Sequence, residues 1–156
     1  MNKLLFYMLA ALVIAADQLS KIVVRAVMEL GQTIPVSRGL LQFTYYENSG
    51  AAFSSFQGLG RYFVLVALGL ALAVLYYRRK GELRGTAMDV ITGLLVGGAL
   101  GNAIDRVIFN QVTDFIVLGK GGGSMNVADI AITLSALLIA IRLVFQKITP
   151  RSLNRG

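Results

Sequence analysis

The sequence predicts an all-α membrane protein, a four-transmembrane-helix bundle with a small extracytoplasmic β-rich region and an outer loop. Three observations support this prediction. Hydrophobic residues make up 56% of the 156 residues, charged residues only 15%, and the mean hydropathy is +0.69. Several apolar stretches are long enough to cross a hydrocarbon core of about 30 Å. Basic residues flank these stretches, and we expect one domain over residues 1–156.

Four apolar stretches are predicted to span the membrane, at about residues 4–24, 59–77, 88–104 and 127–144. The apolar part of the first is too long for a cleavable signal peptide, and no small-residue cleavage site with a polar mature domain follows it. We therefore predict a retained helix. The third stretch is short, but its glycines and alanines permit close helix packing, which favours a buried central helix.

Basic residues predict the orientation, because short cytoplasmic loops carry an excess of Lys and Arg. The loop 78–84, with the sequence RRKGELR, is strongly basic, and Lys3 and the C-terminal tail are also basic. Both termini are therefore predicted to be cytoplasmic. Residues 25–58 and 105–125 would then lie outside, and alternating apolar residues in 40–47 predict a β hairpin at the membrane surface.

The residue types that the chain lacks restrict its chemistry. It contains no Cys and no His, which excludes thiol nucleophiles, Ser–His triads and most zinc sites. We predict no metal and no cofactor. The net charge of +7 does not indicate nucleic-acid binding, because the basic residues lie at the ends of apolar runs and not on one polar face.

Polar residues in the predicted spans form three groups at the same depth, near the outer leaflet. Each group contains a pair spaced to share one helix face: Asp17 with Lys21, Asn102 with Arg106, and Asn126 with Asp129. An ionisable residue inside a span costs at least about 2.5–3.5 kcal/mol, so it indicates function by default. The structural alternative is that Asp17 pairs with Lys21 and Asp105 with Arg106, so that the ion pairs hold the bundle together.

Asp114 and Asp129 have no obvious basic neighbour at helical spacing. Taken singly, Asp114 could be an exposed loop acid, and Asp129 an acid favoured by the dipole at a helix N-terminus. If the fold brings the two carboxylates together, one of them keeps a proton. Such a pair can activate water and protonate a scissile carbonyl, which is aspartyl hydrolysis. Spacing alone does not decide whether they meet.

Three other interpretations stay open. A Ser/Lys dyad would combine Ser54 or Ser55 with Lys21. A proton-coupled carrier would also use membrane carboxylates, but nearer the bilayer midplane and open to both sides. A non-catalytic assembly subunit would need only the Gly/Ala-rich helix and the polar pairs.

Five motifs, taken in chain order, make the sequence similar to the lipoprotein signal peptidases (signal peptidase II). They are DQLSK at 17–21, ENSGAAFS at 47–54, GALGNAIDRV at 98–107, VTDFI at 112–116 and MNVADIAI at 125–132. The family's last motif usually begins with Phe, and Met125 takes that place here. Met is an apolar side chain of similar reach, so only local packing differs.

The resemblance implies a bacterial inner-membrane aspartyl endopeptidase that cleaves the signal peptide of diacylglyceryl-modified prolipoproteins just before the lipidated cysteine. It implies that Asp114 and Asp129 are the catalytic pair. The matching substrate-binding positions are Asn48, Gly50, Asn102, Arg106 and Asn126; the supporting positions are Asp17, Lys21 and Asp105. The expected partners are these substrates and membrane lipid, and we expect a monomer with its site near the extracytoplasmic leaflet.

Overall fold

A computed structural model describes residues 3–37, 39–50, 60–119 and 122–148. Its helices are α1 (Lys3–Val27), α2 (Gly60–Lys80), α3 (Thr86–Phe109) and α4 (Val127–Ile148), and its strands are β1 (Thr33–Ser37), β2 (Leu41–Asn48), β3 (Val112–Leu118) and β4 (Ser124–Met125). All four helices are long and apolar enough to cross a membrane. The strands form one antiparallel sheet in the order β1-β2-β3-β4. The predicted fold class, four such helices with a small β region, is confirmed.

The helices continue beyond the ends of the apolar runs. Helix α2 ends at Lys80 and α3 at Phe109, because backbone hydrogen bonds do not require apolar side chains. Helix α3 stops where Asn110 adopts a left-handed conformation with φ 60° and donates its N–H to Arg106 O. Residue 59, with which the second predicted span begins, lies outside the described residues.

Helix α3 lies at the centre of the bundle, and α1, α2 and α4 each pack against it. Glycines make this close approach possible. A Cβ on Gly97 would lie 2.8 Å from Val13 Cβ of α1, and a Cβ on Gly98 would lie 2.6 Å from Ala128 O of α4. The Gly/Ala-rich stretch therefore forms the buried central helix that its composition predicts.

We expect Gly98→Ala to destabilise the bundle by about 1–3 kcal/mol, because the new methyl group would press on the α4 backbone. Gly69→Ala in α2 is the matched control, since a Cβ there meets nothing within 4 Å. Thermal unfolding of both purified variants in detergent measures the difference. Equal unfolding temperatures for the two variants would contradict the α3–α4 contact.

The sheet extends the hairpin that the sequence predicts by two further strands. Strand β2 pairs with β1 on one side and with β3 on the other, so the outer segment after α3 is not only a loop. Tyr45 of β2 and Phe115 of β3 are buried against Val24 of α1 and Met28, which directly follows α1. This hydrophobic cluster fixes one face of the sheet to the bundle, and the opposite face, with Asp114, is directed towards a cavity.

Candidate active site

A buried ion cluster joins α1 to α3. Lys21 Nζ lies 2.8 Å from Asp17 Oδ2 and 3.1 Å from Asp105 Oδ2, and all three side chains are 0% exposed. The proposed Asp17–Lys21 pair is therefore present in the structure. The alternative pairing of Asp105 with Arg106 is wrong: Asp105 contacts Lys21 and, at 3.7 Å, Arg25, because adjacent helical residues do not face each other.

The two carboxylates of this cluster also hold the elements that carry Asp114 and Asp129. Asp17 Oδ1 accepts a 2.9 Å hydrogen bond from the Ala128 N–H, one of the free N–H groups in the first turn of α4. Asp105 Oδ2 accepts one of 3.1 Å from the Thr113 N–H in β3. The cluster thus fixes the backbone beside each predicted catalytic residue.

Lys21 also orients Asn102. The ammonium donates a 2.9 Å hydrogen bond to Asn102 Oδ1, so the amide nitrogen of Asn102 is directed the other way. That nitrogen donates to Asp129 Oδ1 at 2.8 Å. Since an ammonium only donates, the Asn102 amide cannot reverse without losing both bonds.

Asn126 connects the two predicted catalytic carboxylates. It precedes α4 and forms a reciprocal capping arrangement with Asp129: Asn126 Oδ1 accepts from the Asp129 N–H at 2.9 Å, and Asp129 Oδ2 accepts from the Asn126 N–H at 3.2 Å. Its amide nitrogen donates to Asp114 Oδ1 at 2.7 Å. The helix-terminus role that the sequence allowed for Asp129 is real, but it engages only one carboxylate oxygen.

Asn48 is oriented in the same manner. Its Oδ1 accepts a 3.0 Å hydrogen bond from the Gly50 N–H, and its amide nitrogen donates to Asp114 Oδ2 at 3.1 Å. Asparagines on β2, on α3 and before α4 therefore all direct amide N–H groups at Asp114 or Asp129. The amide oxygen of each asparagine accepts a hydrogen bond from another group of the protein, which fixes the direction of its amide nitrogen. The site is therefore organised before a ligand binds.

Arg106 supplies positive charge at the cavity. Its Nη2 donates to Gly50 O at 3.1 Å, and the guanidinium carbon lies 5.0 Å from the Phe63 ring centroid. Its Nε is buried and has no hydrogen-bond partner among the described residues. The guanidinium as a whole lines the cavity, where it offers N–H donors and positive charge.

A cavity of about 620 Å³ brings most of the predicted site together. Asn48, Asn102, Arg106, Asp114 and Asp129 line it. The other predicted residues do not line the cavity. Four of them lie behind its wall and are 0% exposed: Asn126, Asp17, Lys21 and Asp105. Gly50 accepts a hydrogen bond from Arg106, which does line the cavity. The sequence interpretation did not single out Tyr46, Ser124, Ile132 or Thr133, which also line the cavity. Only strand register reveals Tyr46, which pairs with Asp114 across β2 and β3.

Asp114 is not the exposed loop acid that its sequence context also allowed. It lies in β3 and is 2% exposed. Burial raises the pKa of its carboxyl from 3.8 to about 6, and the nearby charge of Asp129 acts in the same direction, while the hydrogen bonds from Asn48 and Asn126 oppose the change. A carboxyl in this condition can hold a proton under mildly acidic conditions.

Ser54 and Ser55, the serines of the alternative Ser/Lys dyad, lie outside the described residues. Lys21 itself is fully buried and contacts Asp17, Asp105 and Asn102. Within the described ranges, no group of three or more His, Cys, Asp or Glu side chains could hold a metal ion.

These features define a class of protein: a multi-pass membrane protein with a preorganised, carboxylate-lined cavity at one end of its bundle. Two solved bacterial membrane enzymes, determined at 2.3 Å and 1.9 Å resolution, have the same fold. The first superposes with a TM-score of 0.87 at 30% identity, over 97% of this chain and 93% of its own. The second gives a TM-score of 0.80 at 32% identity, over 88% and 91%.

The chain belongs to the signal peptidase II family, whose profile, described as signal peptidase (SPase) II, matches residues 9–145. It is 35% identical to the lipoprotein signal peptidase of Bacillus subtilis (strain 168) over 144 residues, which are 90% of this chain and 94% of that protein. It is 38% identical to that of Geobacillus thermodenitrificans (strain NG80-2) over 144 residues, 90% of each. Members of this family are peptidases, which are hydrolases.

Proposed function

We propose that this protein is an aspartyl endopeptidase that cleaves the signal peptide of diacylglyceryl-modified prolipoproteins just before the lipidated cysteine. Family membership supports the removal of signal peptides from prolipoproteins. The observation that carries the aspartyl mechanism is that Asp114 and Asp129 line one cavity and are joined through Asn126. We propose these two residues as the catalytic pair.

In the proposed mechanism the two carboxylates share one proton. The ionised carboxylate takes a proton from water, the resulting hydroxide attacks the scissile carbonyl, and the protonated partner donates to the carbonyl oxygen. The tetrahedral intermediate then breaks its C–N bond, and the leaving amine receives a proton from the pair. Because coupled groups titrate jointly, the shared proton belongs to the pair and not to one residue.

The remaining predicted residues have proposed roles that follow from their contacts. The Arg106 guanidinium would bind a substrate carbonyl, and Gly50 would hold it in place. Asn48 and Asn102, which line the cavity, would orient the carboxylates and offer polar groups to an unwound substrate, since hydrocarbon offers none. Asn126 is fully buried and would orient the two carboxylates. Asp17, Lys21 and Asp105 would support the site without contacting the substrate.

The proposed setting is the bacterial cytoplasmic (inner) membrane. The excess of basic residues in 78–84 supports cytoplasmic termini, with the cavity near the extracytoplasmic leaflet. In that position the scissile bond meets water while the signal peptide stays in lipid. We propose that residues 1–156 act as one domain and as a monomer.

Purified protein in detergent, incubated with a diacylglyceryl-modified prolipoprotein, tests the function. We expect a product that begins with the lipidated cysteine, identified by mass spectrometry, and little cleavage of the same substrate without the diacylglyceryl group. No cleavage of the lipidated substrate would favour the carrier or the assembly subunit. Cleavage at another bond would contradict the proposed substrate class.

The raised pKa of Asp114 predicts a pH dependence. The pair functions with one proton, and Asp114 loses its proton as the pH rises through about 6. We therefore expect kcat/KM, which reports the free enzyme, to fall as the pH rises above that value. A profile measured on the lipidated substrate that stays flat from about pH 5 to 8 would be inconsistent with this assignment.

A further inference from the structure

Helices α2 and α3 pack side by side, and their register brings one aromatic ring of α2 to the candidate active site. Gly60 begins α2 beside the C-terminal cap of α3, since a Cβ on it would lie 2.9 Å from Asn110 O. Further along, Val74 packs with Val96. The two helices therefore run antiparallel, and Phe63, one turn after Gly60, lies level with the last turns of α3.

The ring of Phe63 faces the guanidinium of Arg106. The guanidinium carbon lies 5.0 Å from the ring centroid, within the range of a cation–π contact. Both side chains are half-buried, so water screens the contact only in part. An aliphatic side chain at position 63 would fill space but would offer no negative ring face.

The remaining contacts of the guanidinium are few. Nη2 of Arg106 donates to Gly50 O at 3.1 Å, and Nη1 donates to Asn102 O at 3.4 Å, which is long for a hydrogen bond. Nε has no partner among the described residues. The position of the guanidinium therefore depends on two backbone carbonyls and on the ring of Phe63.

Most charged groups around Arg106 already have partners of their own. These groups and their elements are Asp17, Lys21 and Arg25 of α1, Glu47 of β2 and Asp105 of α3. Those of α1 form the ion cluster with Asp105, and Glu47 accepts a hydrogen bond from the Tyr45 hydroxyl. On α2, Arg61 is exposed.

Asp114 of β3 and Asp129 of α4 are the acids that attract the Arg106 guanidinium across the cavity. In the part of the chain that the structure describes, neither forms an ion pair with Arg106. A direct ion pair would favour the ionised form of the carboxylates and so remove the proton that the proposed mechanism requires. The guanidinium must therefore stay near the pair without contacting it.

We propose that Phe63 is a positioning residue: its ring holds the Arg106 guanidinium on the α2 side of the cavity, away from Asp114 and Asp129, so that the pair keeps its shared proton. The inference deepens the proposed function and rests on it. Without the ring, the guanidinium would keep only its two backbone acceptors, and the attraction of the carboxylates would draw it across the cavity.

The pH dependence of kcat/KM tests the proposal. We expect Phe63→Leu to move the fall of kcat/KM at rising pH to a lower pH by about one unit, because an opposite charge within about 4–6 Å of a carboxyl lowers its pKa by about 1–3 units. Above that pH, kcat/KM should be about tenfold lower than in the wild type. Phe63→Tyr keeps the ring and should restore the wild-type profile.

Tyr76→Leu is the matched control. Tyr76 is also an aromatic residue of α2 beside a cation, with Lys80 Nζ 4.9 Å from its ring centroid, but it lies at the other end of the helix and does not line the cavity. Its profile should match that of the wild type. If Phe63→Leu lowers the unfolding temperature but leaves the profile in place, Phe63 has only a structural role and the proposal is overturned.

An infrared titration without substrate separates this inference from the proposed function. The absorption of the protonated carboxyl, identified by its loss in Asp114→Asn or Asp129→Asn, should disappear at a lower pH in Phe63→Leu than in the wild type. In an Arg106→Gln background, Phe63→Leu should cause no further shift, since no guanidinium remains to move.

An equal infrared shift with and without Arg106, or no shift in either background, would overturn the positioning role of Phe63. If the shift occurs as expected but the wild-type protein does not cleave the lipidated prolipoprotein, the proposed function fails and the positioning of Arg106 by Phe63 stands. The two failures are therefore distinguishable.

Discussion

Replacement of either proposed catalytic aspartate, Asp114→Asn or Asp129→Asn, is expected to lower kcat at least about 10³-fold. General acid–base catalysis contributes about 10²–10⁴-fold, and an asparagine amide can neither take a proton from water nor donate one to the scissile carbonyl. The side-chain volume is nearly unchanged, and an ionisable group is removed from a buried position at Asp114 and from a half-buried position at Asp129. Each variant should therefore remain folded, with an unfolding temperature near that of the wild type. Cleavage of the lipidated prolipoprotein by purified protein in detergent measures kcat.

Glu29→Gln is the matched control. Glu29 is an exposed acid after α1, and it does not line the cavity, so its substitution should leave cleavage unchanged. If Asp114→Asn or Asp129→Asn cleaves at the wild-type rate, that residue is not catalytic. A loss of activity together with a collapse of the unfolding temperature would instead assign the residue to stability.

Lys21→Met is expected to have the largest effect on stability, about 3–5 kcal/mol, because it leaves Asp17 and Asp105 buried without their ammonium partner. Activity should fall as well, because Asn102 loses the donor that fixes its amide towards Asp129. Thermal unfolding in detergent measures the first effect, and kcat, measured where the variant is still folded, measures the second.

A second substitution separates unpaired charge from lost packing. Lys21→Met combined with Asp17→Asn removes one of the stranded charges, so we expect it to unfold at a higher temperature than Lys21→Met alone. Lys147→Met, at an exposed position near the end of α4, serves as the control for removal of a lysine. If the double variant is no more stable than the single one, the buried charges are not the cause of the destabilisation.

Much of the fold could be predicted because each membrane helix corresponds to one continuous apolar stretch of the sequence. Apolar runs of sufficient length gave the four helices, and the Gly/Ala content of α3 gave its central position. Strand β3 was missed because its residues Val112–Leu118 are buried on both faces over most of their length. Such a strand lacks the alternating pattern that identified β2.

The sequence predicted most of the residues that form the site, but only a few of the contacts between them. Asp17 and Lys21 are four residues apart, so their pairing follows from helix geometry. The partner of Asp105 could not be predicted from helix geometry, because Lys21 lies on another helix. The sequence suggested the adjacent Arg106 instead. Tyr46 and Thr133 carry no distinguishing signal in the sequence, and the strand register and helix packing place them at the cavity.

The sequence by itself determined the number of membrane helices, the absence of thiol and imidazole chemistry, and the carboxylates on which hydrolysis would depend. Only the tertiary structure decided which donors meet those carboxylates. The physical reason is distance along the chain. Helical periodicity acts over a few residues, whereas the hydrogen bond from Lys21 to Asn102 joins residues 81 positions apart, and packing of whole helices decides such contacts.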